Sequence, residues 1–358
     1  MTEYEIRQYK PVDRDGFLSL YSTVMGGNKS DDWFDWKYGS NPYVDHVPMV
    51  VSLCGDQLVG ARPLFALPIV INGEQSVALE PGDAMVHPDH RRQGLFTRMM
   101  EQIIETYSGR YPFYFSFPND LAKPAHIKHG SRVVSQRPSY YRIEDPSSIA
   151  ETYDQPAIRF LGRVGTTVAR GYYLLRDLTT PENPGVTIRM ESESPAEELA
   201  ALYRLSVPEK IHVRRDERFY RWQFKNPDWD YKTYIADGSG GPEAALITKT
   251  SVESDLKTTE IVDVVPLQVA PEPALVSLIG QVISDHPETD LFIAPSQGIP
   301  GSVLRTSGFH ADTIPPLSFV STQQTHVVRT LTDEWTQNGM DITNPDNWFL
   351  TSIERDTS

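Results

Sequence analysis

The sequence predicts an α/β protein built from two similar domains, and three observations lead to this prediction. The chain has 358 residues, which is more than one ordinary hydrophobic core contains. Residues 78–107 have the pattern of a strand, a short basic loop and a helix, in that order. Residues 186–330 repeat, in weaker form, the patterns found in the first 148 residues.

The strand–loop–helix segment is the strongest local signal in the chain. Residues 78–86 mix small and apolar side chains, and Pro81 and Gly82 predict a bulge or kink in this strand. The loop RRQG at 91–94 follows, and apolar residues then recur at 95, 96, 99, 100, 103, 104 and 107, the spacing of one helix face. Free N–H groups and the positive dipole at this helix start, together with two arginines, predict a site for an anion such as phosphate.

The hexapeptide RRQGLF at 91–96 resembles the acetyl-CoA loop of the GCN5-related N-acetyltransferase (GNAT) superfamily. In that family the loop reads Gln or Arg, two residues, Gly, one residue, then Gly or Ala, between a bulged strand and a helix. Phe96 departs from this pattern, because a small residue is usual at its position. The series Arg-Arg-x-Gly-Leu with a bulky follower also resembles the tandem-domain acetyltransferases of the enhanced-intracellular-survival type, here without their third domain.

The resemblance implies that each domain is a mixed, mostly antiparallel sheet flanked by helices. The patterns in residues 1–148 agree with this plan, and the turns at Gly55-Asp56 and Asn72-Gly73 predict two hairpins. Strands are predicted at 4–9, 49–53, 58–67, 78–86 and 111–117, with two more within 131–143, and helices at 13–25, 31–38, 95–107 and 121–129.

Four segments are predicted along the chain. They are a catalytic GNAT domain at 1–148, a helical connector at 149–185, a degenerate GNAT-like domain at 186–330 and a C-terminal tail at 331–358. The boundary at TTPENPG, residues 179–185, rests on its turn-forming composition. The tail, with Trp335 and Trp348, is expected to pack against a domain or to lie across the acceptor cleft.

The second domain is predicted to have lost its cofactor site. Residues 222–227 (WQFKNP) and 290–295 (DLFIAP) resemble segments near 36–42 and 113–118, which supports the repeat. At the position of the basic loop, however, the chain reads QVAPEP at 268–273, with no arginine, no glycine and two prolines. Acetyl-CoA is therefore expected to bind the first domain alone.

The resemblance also implies how acetyl-CoA is held. The N–H groups of residues 92–97 and both arginine side chains would anchor the pyrophosphate, and the pantetheine arm would pair with the strand at 84–86. An N–H near Met85 or Val86 would polarise the thioester carbonyl. The expected contacts are Ala84, Met85, Val86, Arg91, Arg92, Gln93, Gly94, Leu95, Phe96, Thr97 and Asn119.

Two carboxylates are candidates for the general base that takes the proton of the acceptor amine. Glu80 lies eleven residues before Arg91, a spacing that matches the base-bearing strand position in the histone-acetyltransferase branch of the family. Asp83 is the second candidate, and either group can act through a bound water. The alternative for each is a carboxylate that faces solvent in a very acidic protein.

The general acid of the family is a tyrosine four residues before the glycine that closes the helix after Asn119. Counting back from Gly130 gives His126 instead, which is a possible proton donor or simply a surface histidine. Tyr140 and Tyr141 are the fallback acids, unless they belong to a core. His126 shares a helix face with His129, but no carboxylate or cysteine completes a ligand set, so no metal site is predicted.

Composition limits the classes of partner. The net charge is −15, and ten of the 33 basic residues are lysines, which suggests a surface adapted to high salt; the alternative is an ordinary acidic enzyme. This charge disfavours binding to nucleic acid. A single cysteine, Cys54, excludes an internal disulfide. No apolar run reaches membrane-spanning length and the N-terminus lacks a signal-peptide core, so a cytoplasmic protein is expected.

Together these inferences predict an acetyl-CoA-dependent N-acetyltransferase, in which the primary amine of a small-molecule or peptide acceptor attacks the thioester directly. A non-catalytic acyl-CoA-binding scaffold or sensor is the alternative, because the acid position is altered and half of the chain lacks the loop. An aminoacyl-tRNA-dependent peptidyl transferase on the same doubled fold is less favoured, since the intact phosphate loop and the negative charge oppose it. Nothing in the sequence identifies the acceptor.

Overall fold

A computed structural model gives the structure of the chain and describes residues 3–148, 185–253, 255–314, 317 and 324–355. The connector predicted at 149–185 lies outside the described residues except for Gly185. The described residues form two large sheets with helices packed against them, as the sequence predicted, and a small two-stranded ribbon near the C-terminus.

Residues 3–148 contain every element predicted for them, with ends that differ by a few residues. The strand predicted at 78–86 is divided in two, and a π-helical turn, Asp35–Gly39, continues the second helix. The strands are β1 Glu5–Gln8, β2 Met49–Cys54, β3 Gln57–Ile71, β4 Glu74–Pro81, β5 Met85–Val86, β6 Phe113–Ser116, β7 Arg132–Arg137 and β8 Tyr140–Ile143. The helices are α1 Arg14–Met25, α2 Asp31–Phe34, α3 Leu95–Tyr107 and α4 Lys123–Lys128.

The rest of the described chain supplies the second sheet, its helices and the tail. The strands are β9 Thr187–Glu191, β10 His212–Val213, β11 Asp230–Gly238, β12 Gly241–Glu253, β13 Leu256–Val265, β14 Leu291–Ala294, β15 His310–Ala311, β16 Gln324–Thr330, β17 Thr336–Gln337 and β18 Met340–Asp341. The helices are α5 Ala196–Leu205, α6 Glu217–Gln223, α7 Glu272–Asp285 and α8 Gly301–Thr306.

The two predicted hairpins organise the first sheet. Gly55 has a φ of 60° in the turn between β2 and β3. Asn72 and Gly73 have φ values of 51° and 80° between β3 and β4, a conformation that favours these two residue types. The sheet order is β1-β2-β3-β4-β6-β16-β7, and its neighbours are antiparallel except β4 and β6.

The two halves of the chain contribute strands to each other's sheets, and the short β10 of the second half pairs with β3 of the first sheet. β16 comes from the second half but lies between β6 and β7 in the first sheet. β8 comes from the first half but lies between β14 and β15 in the second sheet. The expectation that residues 131–143 supply two strands to the first domain is therefore wrong for β8. Alternation of side chains predicts a strand but does not identify its partner, which explains the error.

The second sheet repeats the first. Its order is β15-β8-β14-β13-β12-β11-β9, which matches β7-β16-β6-β4-β3-β2-β1 position by position, including a parallel pair at β13 and β14. The internal repeat predicted from the sequence is thus confirmed in the sheet order. The domain boundaries predicted at 148 and 186 do not separate the two sheets, because each half of the chain supplies a strand to the sheet of the other half.

Helix α3 packs one apolar face on the first sheet. Its predicted stripe is buried at Leu95, Met99, Met100, Ile103 and Tyr107, and it contacts β2 and β3. Burying side chains of this size stabilises the fold by about 1.5–3 kcal/mol each. This packing fixes the position of the loop that precedes the helix.

The two halves meet through residues that the repeat aligns. The indole N–H of Trp36 donates to the Trp222 carbonyl at 3.0 Å, and the indole N–H of Trp222 donates to the Trp36 carbonyl at 2.9 Å. Their rings stack with centroids 5.9 Å apart. Trp33 is buried against Tyr21 and Tyr38. Trp33 and Trp36 are therefore both packing residues.

The C-terminal tail packs back onto the molecule, one of the two predicted outcomes. Trp348 is fully buried, and the N–H groups of Ser352 and Ile353 both donate to the Val262 carbonyl of β13. None of the helices that the structure describes is both long and apolar enough to cross a bilayer.

Candidate active site

A cleft opens in the first sheet where β4 and β6 separate. The two strands pair at Leu79 and Tyr114, and the Ser116 hydroxyl still reaches the Pro81 carbonyl at 3.4 Å. The chain then leaves β4 through Asp83, whose φ is 40°, and returns to pair with β3 as β5. The predicted kink at Pro81 and Gly82 is thus the feature that separates the strands.

The cleft has a volume of about 550 Å³ and takes its walls from both halves of the chain. The site residues predicted from the sequence all lie within residues 1–148. The lining residues are Met25, Arg62, Glu80, Pro81, Gly82, Asp83, Ala84, Ser116, Phe117, Pro118, Asn119, Asp120, Ala122 and His126 from the first half, and Tyr141, Gln324, Thr325 and Arg355 from the exchanged strands and the tail. The contribution of β16 follows from the strand exchange, which the sequence did not predict, whereas a tail that packs on a domain or lies across the acceptor cleft was expected.

β5 runs beside β3 and leaves its other edge open to the cleft. Met85 pairs with Ala61, and the His87 N–H donates to the Val59 carbonyl at 2.8 Å. The N–H groups of an antiparallel strand alternate between its two edges, so the N–H of Val86 points away from β3. This edge can pair with an extended ligand in the manner of a strand.

The basic loop connects β5 to α3 and is exposed. Arg92 and Gly94 have φ values of 63° and 73°, which turn the backbone into the helix start. Arg91 donates from Nε to the Val86 carbonyl at 3.3 Å, and the side chains of Arg91, Arg92 and Gln93 face solvent. Among the described residues, no acceptor is found for the backbone N–H groups of 92–97. Such a helix start suits a phosphate group.

Phe96 is compatible with a phosphate-binding loop although a small residue is usual there. Its ring lies 4.7 Å from the guanidinium of Arg62 and 6.1 Å from the ring of His129. The side chain therefore packs over β3 and α4 and is half-buried. Leu95 is buried beneath the helix, and Thr97 is half-buried beside His129.

The cleft reaches both faces of the sheet. Glu80 of β4 pairs with Phe65 of β3, so its side chain lies on the face of the sheet where Trp36 packs against Phe65. Arg62 lies an odd number of residues from Phe65 and so faces the α3 side, where its Nε is 3.0 Å from the Met100 sulfur. A ligand entering from the α3 side can thus meet one entering from the Glu80 side.

The two candidate bases have different surroundings. Glu80 is 2% exposed and lines the cleft. Asp83 also lines it, but its Oδ2 accepts from the Lys37 ammonium at 2.7 Å and from the Tyr38 hydroxyl at 2.5 Å. Lys37 is 1% exposed, so this is a buried ion pair that ties the β4–β5 turn to the π-helical turn. Neither carboxylate faces solvent as the alternative had supposed.

His126 lies in the cleft wall and contacts a buried arginine. Its Nε2 is 3.4 Å from Nη2 of Arg62, and because a guanidinium only donates, Nε2 accepts and the proton lies on Nδ1. Burial, reinforced by the charge of Arg62, lowers the pKa of His126 to about 3. Burial likewise lowers the pKa of Arg62 to about 10. Near neutral pH the imidazole is uncharged and the guanidinium is charged.

The remaining predicted residues separate into two groups. Asn119 lines the cleft, and its side chain accepts from the Ala122 N–H at 2.9 Å, which fixes the start of α4. Tyr140 pairs with Ala294 and Ala311 in the second sheet and packs against the second core, outside the cleft. Its expected place in the first sheet was wrong, whereas Tyr141, the next residue of β8, lines the cleft.

Sequence reasoning missed Arg62 and Lys37. A usable signal existed for Arg62, which is the only charged residue within the otherwise apolar strand β3. A charged side chain in such a strand is seldom buried without a specific reason. For Lys37 the corresponding signal is its position between the aromatic residues Trp36 and Tyr38.

The equivalent region of the second sheet is filled by the chain itself. β13 and β14 pair as far as Glu260 and Ile293, and beyond that point the tail bonds to Val262. The buried Arg215 forms ion pairs with Asp263 of β13 and Glu354 of the tail. Helix α7 begins after Pro271 with Glu272, so its start carries a negative side chain.

A larger cavity of about 770 Å³ lies between the halves, over Trp36 and Trp222. Its walls come from α2, the π-helical turn, α5 and α6, with charges of both signs. It has neither the open strand edge nor the basic loop, so it is a less suitable place for the predicted chemistry.

Comparison with known sequences identifies the region that carries the cleft. Residues 5–125 match the family described as the acetyltransferase (GNAT) domain, a region that runs from β1 into α4 and includes the basic loop. No curated protein matches the sequence of the chain.

Solved structures resemble the chain over most of its length. A GCN5-related N-acetyltransferase from Anabaena variabilis has a TM-score of 0.61 at 10% identity, covering 92% of this chain and 73% of that one. A protein from Enterococcus faecalis, described as a probable N-acyltransferase, has a TM-score of 0.63 at 13% identity, with coverages of 92% and 73%. Eis1 from Mycobacterium abscessus has a TM-score of 0.54 at 12% identity, with coverages of 92% and 74%. At these identities the likeness concerns the fold.

Proposed function

We propose that this chain is an acetyl-CoA-dependent N-acetyltransferase whose acceptor is a primary amine, because residues 5–125 match the acetyltransferase (GNAT) domain. The observation that carries the proposal is the cleft between β4 and β6, which has an open strand edge at Val86 and an exposed basic loop beyond it. These two features suit the two parts of coenzyme A, an extended pantetheine arm and a pyrophosphate.

The donor enters from the α3 side. Arg91, Arg92 and the N–H groups of residues 92–97 bind the pyrophosphate through charge-assisted hydrogen bonds. The arm pairs with the edge of β5, and the Val86 N–H donates to the thioester carbonyl, where negative charge develops during attack. The donor supplies an acetyl group already activated as a thioester.

The acceptor amine enters from the face that carries Glu80. The ammonium form of the acceptor must lose a proton before its nitrogen can attack. Glu80, buried in the cleft wall, takes that proton directly or through water. Asp83 is held by Lys37 and Tyr38 and positions the turn that opens the cleft. Asp83 is the second candidate for the base, and these contacts tie it to the turn.

One donor site per chain is expected. The second half offers Pro271 and Glu272 at the corresponding helix start, and its own tail occupies the place where β13 and β14 separate. An acidic first turn and a filled cleft both oppose the binding of a pyrophosphate and its arm. The second half instead contributes β16 and Arg355 to the walls of the donor cleft.

Titration calorimetry with acetyl-CoA, followed by release of free thiol in the presence of a panel of primary amines, tests the proposal. The expected result is one acetyl-CoA per chain and amine-dependent thiol release. Two equivalent sites would contradict the single-site assignment, and no binding would contradict the function altogether. Binding without turnover on amines of varied size and charge would instead support the alternative, a non-catalytic acyl-CoA-binding scaffold or sensor.

A further inference from the structure

Arg62 is a buried positive charge without a carboxylate partner among the described residues. It is 3% exposed, and its neighbours are the Met100 sulfur at 3.0 Å, the His126 ring at 3.4 Å and the Phe96 ring at 4.7 Å. By contrast, the other buried arginines with described ion pairs, Arg142 and Arg215, each contact carboxylates.

A buried guanidinium without a counter-charge is costly, because it loses hydration and gains little in return. Arg62 lines the cleft, so a ligand there can supply the missing negative charge. Binding of such a ligand relieves this cost. An anionic group on the ligand is therefore expected close to Arg62.

The position of Arg62 indicates which part of the ligand this is. Ala61 pairs with Met85, so Arg62 lies beside Ala84, where β4 and β6 have just separated. The exposed loop that suits the pyrophosphate follows β5 at the surface, whereas Arg62 is buried at the centre of the sheet. In the proposed binding mode this centre receives the reacting end of the donor, the thioester.

His126 adds a hydrogen-bond donor at the same place. Its Nε2 accepts from Arg62, so Nδ1 carries the proton, and this buried Nδ1 has no acceptor among the described residues. A buried donor without an acceptor is rare in folded proteins. Arg62 thus fixes the tautomer of His126 and leaves one N–H for a ligand atom.

We propose that His126 and Arg62 form a binding site for the sulfur of coenzyme A, which lets it leave as a thiolate without first being protonated. This inference rests on the proposed function. As the amine nitrogen bonds to the acetyl carbon, the carbon–sulfur bond breaks and its electron pair goes to sulfur. The protonated acceptor first loses one proton to Glu80 or its water, and the nitrogen loses a second proton to solvent as the amide forms. The products are therefore the amide, the thiolate and two protons. His126 contacts the sulfur, and Arg62 is a positioning residue that also supplies charge.

Other charged groups around the sulfur site do not replace Arg62. Glu80 and Asp83, from β4 and its turn, and Asp120, before α4, are acidic and disfavour a thiolate. Burial raises the pKa of Tyr114 of β6, which stays a neutral phenol, and lowers the pKa of His129 of α4, which stays a neutral imidazole, so neither is charged near neutral pH. Lys123 of α4 contacts Thr325 of β16, and Arg355 of the tail is paired with Glu260.

The test compares the affinities of coenzyme A and desulfo-coenzyme A across pH 6 to 10 by calorimetry, with thiolate absorbance as a second readout. In the wild-type chain the preference for coenzyme A should rise with pH, and the pKa of the bound thiol should lie about 1–3 units below its free value, the usual effect of a nearby opposite charge. Desulfo-coenzyme A lacks the ionising group and serves as the matched ligand control.

Variants separate charge from structure. Arg62→Met should return the thiol pKa to its free value, whereas Arg62→Lys should retain part of the shift. His126→Asn keeps an N–H at the δ position and should retain more of it than His126→Phe. If Arg62→Met does not fold, the lysine and His126 variants still decide the matter, because a purely structural role would leave the thiol pKa unchanged in any folded variant.

Three results would overturn the inference. Identical pH profiles for the two ligands in the wild-type chain would exclude thiolate binding but leave the proposed function intact. Failure of both ligands to bind would remove the proposed function and this inference together. Arg62-dependent binding of succinyl-CoA at least tenfold tighter than acetyl-CoA would show that the guanidinium serves an acyl carboxylate instead.

Discussion

Glu80 and Asp83 are three residues apart, yet the structure gives them different chemistry. Asp83 is committed to Lys37 and Tyr38 in a buried ion pair. Glu80 lies in the cleft wall on the face opposite Arg62, which suits a group that receives a proton from an acceptor. The sequence placed Glu80 first and Asp83 second as the base, with a carboxylate that faces solvent as the alternative for each. Both side chains are buried, which excludes that alternative.

Glu80→Gln should lower kcat steeply near neutral pH and less at higher pH, where more of the acceptor amine is already unprotonated. Affinity for acetyl-CoA should hardly change, because Glu80 lies on the acceptor side. The measurement is a pH–rate profile with the donor saturating.

Asp83→Asn is the matched control for Glu80→Gln. It should destabilise the chain by up to about 3–5 kcal/mol, since it removes the carboxylate charge that the buried Lys37 ammonium contacts at 2.7 Å. Assayed well below its melting temperature, it should keep a wild-type pH–rate profile. If Glu80→Gln retains full turnover and folded Asp83→Asn loses it, the base is Asp83.

His326 makes stability depend on pH. It lies on β16 among Phe115, Phe117 and Trp348, and burial lowers its pKa to about 3. The folded pKa is below the unfolded value, so the stabilisation is complete above about pH 6.5 and is lost as pH falls toward 3.

The expected loss for His326 is about 1.4 kcal/mol per pH unit, or about 2 kcal/mol between pH 6.5 and 5. His326→Phe should remove this contribution and flatten the dependence of unfolding free energy on pH, as measured in urea. His126 and His212, with pKa values lowered by burial to about 3 and about 4, should leave a residual slope. An unchanged slope in His326→Phe would show that this histidine is not buried as described.

At the scale of elements, the loop before α3 is the part of the site that local sequence predicts best. Glycine, two arginines and an amphipathic helix are adjacent in the chain, so no long-range contact is needed to recognise them. Arg62, Gln324 and Arg355 reach the same cleft from distant segments. Their convergence depends on strand pairing, which side-chain alternation does not specify.

Replacing Arg91 and Arg92 together by Ala should weaken acetyl-CoA binding by about 2–5 kcal/mol, the range for charge-assisted contacts to phosphate. Because Arg91 and Arg92 are exposed, stability should stay within about 0.5 kcal/mol of the wild type. Calorimetry and a thermal melt measure the two quantities. Replacing Arg98, an exposed arginine further along α3, is the matched control. Equal affinity in the double variant and the wild type would exclude the loop as the pyrophosphate site.

The exchanged strands predict that the first half does not fold alone. Residues 1–148 lack β16, so β6 and β7 lose their common neighbour and expose unpaired edges. This fragment should be unfolded or aggregated, as judged by circular dichroism and size-exclusion chromatography. Residues 1–137 joined through a Gly-Ser linker to 324–331 are the control and should recover cooperative unfolding. A soluble fragment 1–148 with a cooperative transition would contradict the role given to β16.

At the scale of the whole molecule, the order of helices and strands and the internal repeat could be predicted because each half contains the same succession of elements. The exchange was not, since both halves offer equivalent strands and the sheet order is the same whichever copy occupies the position. The exchanged strands and the Trp36–Trp222 contact join the two halves. The second half has no basic loop, but it supplies β16 and Arg355 to the walls of the cleft.

The net charge of −15 predicts that salt stabilises this chain. Repulsion among excess carboxylates weakens as the Debye length falls from about 10 Å at 0.1 M to about 3 Å at 1 M salt. A gain of about 2 kcal/mol would raise the melting temperature by roughly 4–8 °C for domains of this size. The buried pairs Lys37–Asp83 and Arg215–Asp263 are shielded from the ions and should survive, so the gain is not offset by their loss.

Thermal melts from low to molar KCl measure the effect, and NaCl at equal ionic strength should match it. A melting temperature that is flat or falls with salt would instead identify an ordinary acidic protein.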